Sequence, residues 1–84
     1  MPDTPIPYVC CSQDEIHSPG NIFAILNKRK EMADKKLVIH LTEELCDETL
    51  IYVIFADSMD EALAICVEQS IAFIPNNVCA EVNR

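Results

Sequence analysis

Leu50-Ile51-Tyr52-Val53-Ile54-Phe55 is an unbroken apolar run, rich in β-branched and aromatic side chains. A run of this length and composition reads as a strand buried on both faces. Immediately after it, Ser58-Met59-Asp60-Glu61 has the form of a capping box, serine first and glutamate three residues on. The helix it opens carries Met59, Ala62, Leu63, Cys66 and Val67 on one face. Residues 71–74 and 78–82 then read as one bent strand or two short ones, with Pro75-Asn76-Asn77 as the bend. Upstream, residues 37–42 form a second strand, followed by an acidic loop at Glu43, Glu44, Asp47 and Glu48. Residues 6–11 read as a first strand, with Pro7 at an edge or outside the ladder. Between these two strands, Ile22, Ile25, Leu26 and Met32 recur at helical spacing, with Lys28, Lys30 and Glu31 on the other side. The element order is β-α-β-β-α-β. It predicts an α+β, ferredoxin-like sandwich: a four-stranded antiparallel sheet with two helices on one face.

Such a sheet has a consequence for the apolar run. Only alternate residues of 50–55 can meet the helices. The remainder, either Leu50, Tyr52 and Ile54 or Ile51, Val53 and Phe55, would face solvent. Roughly three such side chains leave a few kcal/mol of unburied apolar surface. Exposed patches of that kind mark association, so a homo-oligomer, at least a dimer, is expected.

The 84 residues are half hydrophobic and make one domain over 1–84, with a single core that gains stability by associating. The net charge is −8. Five of the six basic residues, Lys28, Arg29, Lys30, Lys35 and Lys36, stand close together and read as the solvated end of a helix. The remaining surface is acidic and repels phosphate backbones, which argues against nucleic acid as a partner. No run of about 18 apolar residues suggests a membrane span. The first residues lack a basic region followed by an apolar stretch, so no signal peptide is expected and the reading is cytoplasmic. Five cysteines, an odd and scattered set, read as reduced buried thiols rather than a disulfide framework.

Gly20 is the only glycine, and it stands in His17-Ser18-Pro19-Gly20 at the start of the first helix. Ser18 suits the N-cap and Pro19 the first helical position. A glycine there permits positive φ and lets a ligand come close to main-chain N–H groups. The plain alternative is that the turn only caps the helix.

With its first strand, Ser18-Pro19-Gly20 and the aliphatic helix Ile22, Ile25 and Leu26, the chain resembles the ACT domain family. That family's mark is Asp-x-Pro-Gly after the first strand. Residues 50–74, including the Asp57-Ser58 turn and the Glu61-Ala62 helix start, look like the family's third strand, second helix and fourth strand; the ending 77–82 is similar too. The resemblance covers nearly the whole chain. It implies a non-catalytic regulatory module that binds a small amino acid at a homo-oligomer interface. By this mapping His17, Ser18, Pro19, Gly20, Asn21, Ile22 and Phe23 form the ligand site. The helix N-terminus suits the ligand's carboxylate. His17 stands where the family has an acid, and Ser70 where it has a glycine. These departures favour a second reading, an ACT-like protein–protein interaction module with an acidic surface and no ligand.

Other constellations offer less. Cys10 and Cys11 are adjacent in a strand and point to opposite faces, so they do not share a metal ion with His17. His40, among aliphatics in the second strand, reads as partly buried structure. The acids of 43–48 lack calcium-loop spacing, and Asp57, Asp60 and Glu61 suit a helix N-terminus. No catalytic residues, no cofactor and no metal are expected, because no paired acid and base, activated nucleophile or cofactor loop can be assembled.

Overall fold

The apolar run lies inside strand β3 (Thr49–Ala56), which forms a hairpin with β2 (Leu37–Glu44) at the centre of the sheet. The computed structural model describes residues 6–83. It shows an α+β fold with a four-stranded antiparallel open sheet and two helices. The first strand, β1 (Tyr8–Ser12), pairs with β3 on one side of the hairpin. The last, β4 (Val78–Val82), pairs with β2 on the other, so the order is β1-β3-β2-β4. Helix α1 (Pro19–Glu31) links β1 to β2, and α2 (Met59–Gln69) links β3 to β4. Residues 71–74 are not a strand; a short 3-10 turn, Pro75–Asn77, leads directly into β4.

This strand order corrects the expected placement of the helices. The crossovers from β1 to β2 and from β3 to β4 both step the same way across the sheet. They leave strands that run in opposite directions. Right-handed crossovers of that kind place their helices on opposite faces, not on one. The side chains agree. Val38, Val53 and Phe55 form one buried cluster with Met32 and with Ile25 of α1. Ile39, Leu41, Ile54 and Ala56 form another with Ala62 and Cys66 of α2. The register alternates these two sets along each strand, so the sheet is the middle of three layers.

The apolar run is therefore covered from both sides. Val53, Ile54 and Phe55 are fully buried, while Leu50, Ile51 and Tyr52 are half-buried. The solvent-facing set expected for a one-sided sheet does not exist. The run therefore presents no open sheet face through which copies could associate.

Local chemistry sets the helix ends. The Ser18 hydroxyl accepts from Asn21 N, with Pro19 at the first helical position. At α2 the Ser58 hydroxyl accepts from Glu61 N at 3.2 Å, while the Glu61 carboxylate reaches back one residue further and accepts from Asp57 N. The end of α2 is a Schellman motif. Ile71 N donates to Cys66 O, and Ser70 N donates to Val67 O. Ser70 holds the left-handed conformation, φ 59° and ψ 36°, that glycine takes without strain. Ser70→Gly is expected to raise the unfolding free energy by about 0.5–1 kcal/mol. Urea unfolding measures this, and a loss of stability would mean that the strain is absent.

Candidate functional site

The seven residues of the expected ligand site lie together around the N-terminus of α1. Their geometry is that of a self-contained cap. Ser18 N donates to Glu15 O, Ile22 N donates to Ser18 O, and the Asn21 side-chain amide donates to Glu15 O at 2.6 Å. The amides of Asn21 and Ile22 are thus engaged within the turn, and Pro19 has none to offer. Gly20 has no positive φ, so the expected backbone reason for a glycine there is corrected. A side chain built at Gly20 would meet open space. His17, Pro19 and Gly20 are exposed, and Phe23 is two-thirds exposed.

Beyond the turn, α1 carries an apolar flank. Ile22, Phe23 and Leu26 are 41%, 67% and 51% exposed, on a helix that has no fully buried residue. Ile25 faces the sheet instead, packed against the cluster around Phe55. Helical spacing separates the two roles: Ile25 points down, while Ile22, Leu26 and Phe23 turn progressively outward.

The same flank of α1 leads to a cluster that sequence spacing could not reveal. Arg29 donates to Glu81 of β4 at 2.7 Å, and His40 Nε2 lies 3.3 Å from the same carboxylate oxygen. His40 is opposite Cys79 in the ladder, so Cys79 shares this face. The Arg29 guanidinium first, and then His40, hold the Glu81 carboxyl below its ordinary value. Fifty-two positions separate Arg29 from Glu81, and no motif signals the pair. The expectation for His40 was partly buried structure, and a half-buried strand position is what the residue occupies.

A second ionic group joins the loop after α1 to the start of α2. Lys35 Nζ lies 2.6 Å from Glu61 and 3.8 Å from Asp57, and Lys36 N donates to Asp57. The Lys35 ammonium, with help from the Asp57 amide, holds the Glu61 carboxyl low; Glu61 in turn holds the Lys35 ammonium high. Beside them opens a cleft of about 480 Å³, lined by the apolar Pro7, Met32 and Ile65 and by Glu31, Asp34 and Glu68. Among the described residues no group of His, Cys, Asp and Glu is placed to hold a metal ion.

Both carboxylates predict the same acid limb. Their folded-state pKa values lie below the ordinary 4.5, so the stability they add is complete above that pH. It is lost as pH falls through the lowered values. Exposure limits each pair to about 0.2–1 kcal/mol. The thermal midpoint is expected to fall by a few degrees below about pH 4.5, and the fall to be shallower in Glu61→Gln/Glu81→Gln. Identical acid limbs in the two proteins would show that neither pair matters.

The thiols are divided. Cys11 and Cys66 are buried, and burial pushes both above the ordinary thiol value, which makes them poor nucleophiles. Cys10, Cys46 and Cys79 are exposed, which corrects the expectation that all five sit in the core. Among the described residues no helix is long and apolar enough to cross a membrane.

Comparison of the chain with protein-family models, curated proteins and solved structures finds no match.

Proposed function

We propose that the protein is a non-catalytic protein–protein interaction module that docks a partner on the outward flank of α1. The exposed apolar set Ile22, Phe23 and Leu26 carries this reading. The two core clusters are complete without these side chains, so their exposure is not left over from unfinished packing. The second reading keeps the resemblance to the ACT domain, with a small amino acid held at Ser18-Pro19-Gly20 between two copies. Gly20 favours it, because its N–H takes no part in the bonds of the turn and open space lies beside it.

Two measurements separate these readings. Immobilised wild-type protein is expected to retain partners that Phe23→Ser/Leu26→Ser does not. Equal retention by both proteins would refute docking on α1. Thermal shift with each of the twenty amino acids at about 10 mM is expected to leave the melting temperature unchanged. Stabilisation by one of them would favour the second reading instead.

A further inference from the structure

We propose that the cleft between the end of α1 and α2 binds a small organic amine: an ammonium group on an apolar body, without a carboxylate. The cleft lies at the opposite end of α1 from Ser18-Pro19-Gly20. The inference does not rest on the docking proposed for the outward flank of that helix.

The two walls carry the same pattern. On α2, Glu61, Ile65 and Glu68 stand at spacings of four and three, so one stripe of the helix presents acid, apolar, acid. On the other wall Glu31, Met32 and Asp34, at the end of α1 and just beyond it, present the same order. Lys35 ties the walls together through its 2.6 Å contact with Glu61. Met32 is buried, and Ile65 and Pro7 are half-buried, whereas Glu31, Asp34 and Glu68 are exposed. The apolar lining therefore lies deeper than the charges at the mouth.

Charge decides the class of occupant. The lining holds four carboxylates against one ammonium. That ammonium is already satisfied, because Lys35 Nζ also lies 3.8 Å from Asp57, which is not part of the lining. Glu31 has Lys28 at 3.5 Å. Among the described residues Asp34 and Glu68 form no ion pair. Glu31 is the last residue of α1, so the carbonyl end of that helix, with its partial negative charge, adds to the same field. An anion is repelled here, while an ammonium gains two free carboxylates. The volume, about 480 Å³, is that of a site for a small organic molecule. A bare metal ion would leave Pro7, Met32 and Ile65 uncovered; an apolar body removes them from water.

Phenethylamine is the probe, and phenylpropionate, the same ring and chain with the opposite charge, is its control. Amide NMR shifts of the full chain should saturate with phenethylamine at a dissociation constant of about 1 mM or lower. They should centre on Met32, Lys35, Ile65 and Gln69. Asp34→Asn/Glu68→Gln changes two exposed positions and leaves the Lys35–Glu61 contact intact. It should weaken binding at least about tenfold. Absence of saturable shifts up to about 10 mM overturns the proposal, as does a double variant that binds as tightly as the wild type. Equal binding of phenylpropionate overturns it too, and so do the same shifts with calcium alone, which would mark a plain acidic surface. None of these outcomes bears on retention of a partner by Ile22, Phe23 and Leu26.

Discussion

Phe55→Ala is expected to cost about 3–5 kcal/mol of unfolding free energy, enough to unfold much of a domain this small. Phe55 is fully buried on the α1 side of the sheet, in contact with the cluster of Met32, Val38 and Val53. Removing its ring leaves a void that neighbouring side chains fill only in part. Ile54, its neighbour in sequence, is equally buried on the α2 side. Ile54→Ala should therefore cost a comparable amount, about 2–5 kcal/mol. The comparison is decisive for the architecture. A sheet with helices on one face would lose heavily at one of these two positions and almost nothing at the other. Urea unfolding of both variants reads the difference.

Ala62→Leu is the second large effect, with about 1–3 kcal/mol lost by overfilling. Ala62 is fully buried where α2 lies against the sheet, in the cluster with Ile39, Ile54 and Cys66. Ala62 has no exposed surface, so three more carbons force either the helix outward or neighbouring side chains off their rotamers. Ala64→Leu, two residues along on the exposed side of the same helix, serves as control. It should stay within about 0.5 kcal/mol of the wild type. Equal losses at 62 and 64 would mean that α2 is not seated as described.

Much of this fold is legible in the residues. The run 50–55 announces a strand buried on both faces, and Ser18 and Ser58 mark two helix starts that the structure keeps. What the run also implied, a helix layer on each side, is hidden if the strand order is taken as ferredoxin-like. Nothing local in 78–82 says whether that strand pairs beside β1 or beside β2. That choice belongs to long-range packing, and it alone decides whether the helices share a face. Residues 71–74 are apolar enough to look like a strand, yet Ile71 is spent closing the end of α2 as the buried partner of Cys66. At the candidate site the turn itself is readable from Ser18-Pro19-Gly20. Its private hydrogen bonds to Glu15 are not, because they depend on how the loop from β1 returns. The Arg29–Glu81–His40 cluster carries no trace in spacing, since three separate elements meet there only after folding.

The central hairpin has a kinetic consequence. β2 and β3 are neighbours in both sequence and space, joined by a short loop, whereas β1 and β4 reach their places only across a whole helix. Closing the short loop loses the least chain entropy, so nucleation is expected between residues 37 and 56, with the two outer strands recruited afterwards. The strands added last are also the first to open in the native state. Amide protons of the middle pair should then exchange slowest, and those of the outer two should track partial opening rather than complete unfolding.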